Sequence, residues 1–235
     1  MSKRIYTKEF HQAESQQYGW GYLVYLPEGY EAEPGRAWPL ILFLCGSGER
    51  GEDVLLFAKH GPLRTVREQG PLPFLIVAPM LRESKVFRSF PEAYLDGVLD
   101  LALAEYRVDP KRIYLTGLSM GGEATYRYAL DRPEVFAAVA PIAAFDAKYL
   151  PGGVEEGFRP FALPMERIKD IPVWAIHGAD DPVVPLSAAQ RTVDDLRQAG
   201  GNVRFTVLAD HDHDSWTDTY FDPAFYEWLL QHQKP

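Results

Sequence analysis

The stretch Gly117-Leu-Ser119-Met-Gly121-Gly122 constrains this chain more than any other. It follows Arg112–Thr116, an apolar run rich in β-forming residues, and precedes Glu123–Leu130, which reads as a helix. A strand that passes into a helix through one tight turn leaves no room for side chains two residues either side of the apex. Glycine at 117 and 121 meets that condition. The turn lifts the Ser119 hydroxyl clear of the strand. The helix behind it aims free N–H groups and a positive dipole end at any negative charge developing there. Gly-x-Ser-x-Gly alone is a weak pattern. The strand before, the helix after and a second glycine at 122 turn it into a nucleophile-bearing elbow.

The rest of the chain repeats that alternation. Short β-rich runs are expected at Gly21–Leu26, Leu40–Cys45, Phe74–Ala78, Arg112–Thr116, Ala137–Ala140, Val173–His177 and Val203–Leu208. From the third onward most are nearly continuous apolar runs, as in parallel strands covered on both faces. The first two, with Arg4–Phe10 before them, fit an antiparallel edge. Helical spacing marks Ala93–Tyr106, Glu123–Leu130, Leu186–Ala199 (ended by Gly200-Gly201) and Pro223–Gln231. Alternating strands and helices predict an α/β fold with a doubly wound, mostly parallel sheet. At 235 residues the chain fits a single domain, residues 1–235. Between two expected strands, Pro141–Asp170 has weak helical pattern and many aromatics. It reads as a lid or pocket insertion.

Composition excludes several classes. The formal net charge of −9 and the lack of basic clusters argue against nucleic-acid binding. The longest apolar runs are too short to span a bilayer. The single cysteine, Cys45, rules out an internal disulfide framework. It ends a β-run and reads as a core residue. Met1–Gln17 shows no basic start followed by an apolar segment, so no signal peptide is read there. A cytoplasmic address fits, as does a piece of a longer secreted protein.

A serine hydroxyl needs an imidazole to take its proton and a carboxylate to orient that imidazole. Acid candidates follow the run Val173–His177, at Asp180 and Asp181, with Asp146 a third option. Base candidates are His211 and His213 in Ala209-Asp-His-Asp-His-Asp-Ser-Trp216. The same His-Asp-His-Asp run admits a metal reading, which would need further ligands elsewhere. No metal and no cofactor are therefore expected. His177 reads as structural, and His11, His60 and His232 have no supporting context. For the oxyanion, the expected donors are the N–H groups of Met120 and Ser47. The latter lies in the glycine-rich loop Cys45–Gly51.

Taken together these residues resemble the predicted-peptidase and phospholipase/carboxylesterase branch of the α/β hydrolases, which includes feruloyl esterases. The family's Leu-His-Gly-x-Gly-Glu-Arg-Gly loop is matched at Leu44 and at Gly46–Gly51, with Cys45 where the family tends to carry His. Its Gly-x-Ser-Met-Gly-Gly falls on Gly117–Gly122 and its His-Gly-x-x-Asp-x-x-Val-Pro on His177–Pro185. Its His-Asp-x-Trp falls on His213–Trp216. The resemblance selects Asp181 over Asp180 and His213 over His211. It implies an α/β-hydrolase fold and a serine carboxylesterase that cleaves small-molecule esters, short-acyl or feruloyl in type, through an acyl-enzyme. A serine peptidase and a catalytically silent binding domain are the competing readings. Phe145, Tyr149, Phe158 and Trp216 are expected to wall the substrate pocket. For the aromatics of 145–161, a hydrophobic plug over the core is an equal alternative.

Overall fold

A seven-residue apolar run with no polar alternation has no face to give to water, so it must lie inside a sheet covered on both sides. The computed structural model describes residues 5–9, 19–82, 89–152 and 158–235. It shows eight strands in one sheet. In chain order these are β1 (Ile5–Glu9), β2 (Gly19–Tyr25), β3 (Trp38–Leu44), β4 (Leu75–Leu81), β5 (Val108–Leu118), β6 (Ala138–Ile142), β7 (Val173–Gly178) and β8 (Val203–Leu208). Their order across the sheet is β1-β2-β4-β3-β5-β6-β7-β8. The β1–β2 and β2–β4 pairs are antiparallel and the other pairs parallel, so the mostly parallel α/β sheet holds.

The antiparallel edge differs from the expectation in one respect. β3, which covers Leu40–Leu44, does not belong to it. It sits in the centre, parallel to both β4 and β5, with all its residues buried. The edge is made by β1 and β2 alone. Arg4 and Phe10, the ends of the expected first strand, lie outside the described residues, as does His11.

The helices are α1 (Gly61–Glu68), α2 (Glu92–Glu105), α3 (Met120–Asp131), α4 (Leu186–Gln198), α5 (Trp216–Phe221) and α6 (Pro223–Leu230). α1 and α5 were not foreseen. α1 opens on Gly61-Pro62, which reads as a turn, and α5 spans only six residues. α6 starts where Asp-Pro indicates: the Asp222 carboxylate caps the Ala224 N–H and Pro223 takes the first helical position. Polar ties fix these helices to the sheet. The Tyr114 hydroxyl of β5 donates to the His232 carbonyl at 2.9 Å, just past α6. Thr116 of β5 meets the Tyr220 hydroxyl of α5 at 2.9 Å, both fully buried.

Sheet growth reverses at β3. The chain adds β4 on one side of β3, then crosses back to add β5 and the later strands on the other. The loops after β3 and β5 therefore leave in opposite directions and open a crevice at the carboxyl edge of the sheet, where such folds bind ligands. The backbone there is very close. A Cβ on Gly121 would lie 2.1 Å from the Leu44 carbonyl oxygen and 2.5 Å from that of Cys45. Gly121→Ala therefore forces α3 away from the end of β3. It should cost at least about 3 kcal/mol, read as a lower urea midpoint at unchanged slope. An unchanged midpoint would mean that this contact is far looser than drawn.

Candidate active site

Ser119 stands at the apex between β5 and α3 with φ 54° and ψ −118°. That is a backbone region costly for any residue with a Cβ. Its peptide groups are nevertheless satisfied: the Ser119 N–H donates to the Ile142 carbonyl at 2.9 Å, and its carbonyl accepts from Glu123 at 2.9 Å. The hydroxyl oxygen lies 2.9 Å from Nε2 of His213, and Nδ1 of the same ring lies 2.7 Å from Oδ2 of Asp181. Three loops, after β5, β7 and β8, thus meet in one hydrogen-bonded row.

Asp181 is a well-anchored carboxylate, only 7% exposed. Its Oδ1 accepts the backbone N–H groups of Val183 and Val184, each at 2.8 Å. Burial pushes its carboxyl up. The His213 bond and the Val184 and Val183 amides outweigh that, and hold it below the usual carboxylate range. His177, fully buried at the end of β7, donates from Nε2 to the Val184 carbonyl at 2.8 Å. The same nitrogen lies 3.3 Å from Oδ2 of Asp181. It closes the turn that carries the acid.

The neighbouring candidates go elsewhere. Asp180 is exposed, and its N–H donates to the His211 carbonyl at 3.0 Å. His211 turns outward, with Nδ1 on the Ala209 carbonyl at 2.8 Å and Nε2 on Asp218 of α5 at 2.9 Å. The Ala209 carbonyl and then Asp218 raise its pKa. The two histidines of the His-Asp-His-Asp run therefore diverge. Asp146 is buried one loop away, where its carboxylate accepts the N–H groups of Lys148 and Phe161 and pairs with Lys148 Nζ. Cys45 is buried behind the elbow, and burial pushes its thiol well up.

Met120 is the first residue of α3, so its N–H has no intrahelical acceptor. Ser47 opens a short 3₁₀ turn, Ser47–Glu49, directly after β3. Among the described residues neither amide has a hydrogen-bond acceptor. Leu44 pairs with Gly117 across β3 and β5, which sets the Ser47 turn beside the elbow.

The expected wall residues separate. Trp216 sets its ring edge-on to His213, with centroids 5.0 Å apart, and donates its indole N–H to Nδ1 of His60 at 3.3 Å. Phe145 and Phe158 pack edge-to-face at 5.2 Å, in a small cluster with Val184 and Ala188. They back the acid-bearing turn in the manner of the plug alternative. Tyr149 directs its hydroxyl to the Asp195 carboxylate of α4 at 2.8 Å. None of these three rings has a described contact with Ser119 or His213. His60 and Glu49, which sequence reading passed over, lie beside the row of loops. Only the Glu-Arg pair of the glycine-rich loop could have pointed to Glu49.

The likeness to known proteins follows the same lines. The phospholipase/carboxylesterase family model matches residues 85–222, more than half of the chain. The chain belongs to that family. Carboxylesterase SOBER1 of Arabidopsis thaliana is 27% identical over 139 residues, 57% of this chain and 54% of that protein. NocK of Nocardia uniformis subsp. tsuyamanensis is 29% identical over 170 residues, 68% of this chain and 43% of that protein. The aligned stretch thus spans about half the length of these relatives. A solved thermostable esterase is 30% identical with a TM-score of 0.76, covering 98% of this chain and 64% of its own. Among the described residues no helix is long and apolar enough to cross a membrane.

The buried imidazole of His177 has a consequence for stability. Burial lowers its pKa against the Val184 carbonyl and Asp181. An unfolded histidine titrates near about 6.5. As pH falls, the unfolded chain takes that proton before the folded one. The contribution is therefore complete above that pH and is lost as pH falls toward the folded pKa. His177→Gln should flatten the fall in unfolding free energy between about pH 7 and 5, by up to about 1.4 kcal/mol per pH unit. Parallel slopes for the two proteins in urea titrations would show that folding leaves the proton affinity of this ring unchanged.

Proposed function

We propose that the chain is a serine carboxylesterase acting through an acyl-enzyme. The observation that carries this reading is the row Asp181–His213–Ser119, with contacts of 2.7 and 2.9 Å, on a strained turn beside the Met120 and Ser47 amides, which have no acceptor among the described residues. Ser119 Oγ attacks the ester carbonyl while Nε2 of His213 takes its proton. Asp181, which stays ionised, holds the ring through Nδ1 and stabilises the imidazolium. The N–H groups of Met120 and Ser47 receive the oxyanion. The imidazolium then protonates the departing alkoxide. Water enters by the same route in reverse, with His213 again the base, and releases the acid. The chemistry calls on no metal or cofactor. The substrates are small-molecule esters, with short-acyl and feruloyl esters the first to examine.

Ser119→Ala should lower turnover of p-nitrophenyl acetate by roughly 10⁴-fold or more, with the fold retained. Retained turnover would remove the nucleophile. His213→Ala should lose about 10³-fold or more, while His211→Ala stays within about threefold, because its ring faces Asp218. The reverse ranking would reassign the base. An ester and an anilide carrying one acyl group then separate esterase from peptidase. Faster cleavage of the anilide would overturn the esterase reading.

A further inference from the structure

Outside the row of Ser119, His213 and Asp181, the buried Glu49 and the half-buried His60 touch groups on two of the loops that form the site. The argument rests on the reading of Ser47 N–H as an oxyanion donor. The peptide on each side of that donor is pinned. The Gly46 N–H donates to Oε2 of Glu49 at 2.7 Å, and Nε of Arg50 donates to the Ser47 carbonyl at 3.1 Å. The carbonyl of Gly46, in the same peptide as the Ser47 N–H, accepts from the Glu49 N–H at 3.4 Å. In a trans peptide the N–H points opposite to the C=O, so pinning the Gly46 carbonyl aims the Ser47 N–H away from the turn. Glu49, the third residue of the turn and 5% exposed, thus reaches back to the backbone N–H of the residue before the turn, which is half of a capping box; glycine at 46 has no side chain to supply the other half.

The second oxygen of Glu49 has no hydrogen-bond partner among the described residues. Oε1 lies 3.7 Å from Nε2 of His60. The other ring nitrogen of His60, Nδ1, sits 3.3 Å from the indole nitrogen of Trp216. An indole N–H can only donate, so Nδ1 must be the acceptor and the His60 proton must sit on Nε2, facing Glu49. The Trp216 ring in turn packs edge-on against His213, 5.0 Å between centroids, and against His60 at 5.7 Å. The path from Gly46 through Glu49, His60 and Trp216 therefore joins the loop that receives the oxyanion to the loop that carries the base. Both loops stand on different strands, β3 and β8, which are not neighbours in the sheet.

We propose that Glu49 and His60 are positioning residues for the ester hydrolysis. Glu49 aims the Ser47 amide, and His60 locks Trp216 against the base so that both move as one unit. Neither touches the substrate.

The test uses the full chain, p-nitrophenyl acetate, and a fluorophosphonate titration that counts working sites. Glu49→Ala should lower kcat per titrated site about 10- to 100-fold with KM within about threefold, because the lost interaction acts in the transition state. A reversible alkylboronic acid, which mimics the tetrahedral state, should lose affinity by a similar factor. Glu49→Gln keeps an acceptor for the Gly46 N–H and should restore most of kcat. His60→Phe and Trp216→Phe should each lose about three- to tenfold, and the pair together no more than the larger single loss, as expected of a unit. A purely structural role would reduce the number of titrated sites and leave kcat per site unchanged. That result for Glu49→Ala overturns the proposal. If Glu49→Ala fails to fold, full kcat per site in His60→Phe and Trp216→Phe overturns it equally. Ser119→Ala run alongside separates the two ideas: an active Ser119→Ala removes the nucleophile itself. An inactive one beside a normal Glu49→Ala removes only the positioning role.

Discussion

A serine forced into a left-handed backbone conformation is the constraint from which the rest of the molecule follows. At φ 54° the Ser119 backbone costs on the order of 1–3 kcal/mol, and it persists only if its surroundings permit nothing else. They do so by close approach. The Leu44 and Cys45 carbonyls occupy the space that a Cβ at position 121 would need, and the Ile142 carbonyl holds the Ser119 N–H. Three parallel strands, β3, β5 and β6, thus converge on one residue. A buried, fully paired sheet centre resists the small shifts that would relax the turn, and a surface loop could not have held it.

Electrostatics then divides the labour between two carboxylates of opposite character. Asp181 gathers two amides and two imidazole nitrogens within 3.3 Å, so its charged form is favoured despite burial. Glu49 has one amide and a distant His60. Burial dominates there and raises its pKa, against the Gly46 amide and Lys59. More donors meet the Asp181 carboxylate, while burial is the largest influence on Glu49. The Val183-Val184 turn thus favours the charged form of Asp181, as the proposed role requires. The Phe145–Phe158 pair packs in one cluster with Val184 on this turn.

Much of this was legible in the sequence because it rests on local necessity. The elbow declares itself through two glycines and a strand-to-helix change of period. The parallel sheet declares itself through continuous apolar runs. What was not legible depends on long-range placement. The apolar run of β3 looks the same at an edge or in the centre until its partners are known. α1 hides behind Gly61-Pro62, a pair that spells a turn by local rules, yet Gly61 takes φ 71° just inside a real helix. The choices of Asp181 over Asp180 and His213 over His211 came from family resemblance. Asp210 turns left-handed at φ 57° after β8, and the Asp180 N–H then pairs with the His211 carbonyl. His211 spends both ring nitrogens on Ala209 and Asp218, and Asp180 is exposed.

The crossing of these two loops also gives a physical reason for Gly178, the glycine of the His-Gly-x-x-Asp stretch. A Cβ there would lie 2.1 Å from the Asp212 carbonyl and 2.5 Å from that of His211. The loop that carries the base therefore rests directly on the strand that carries the acid. The hydrogen bond of 2.7 Å between His213 and Asp181 is then set by backbone contact and does not rely on the two side chains finding one another. The same logic applies at the elbow, where glycine lets β3 touch α3. In both places the removal of a side chain lets two backbones meet, and the distance between reacting groups is fixed by the least flexible atoms available. A hydroxyl and an imidazole held in this way lose little entropy when a substrate arrives, which is the condition for efficient proton transfer.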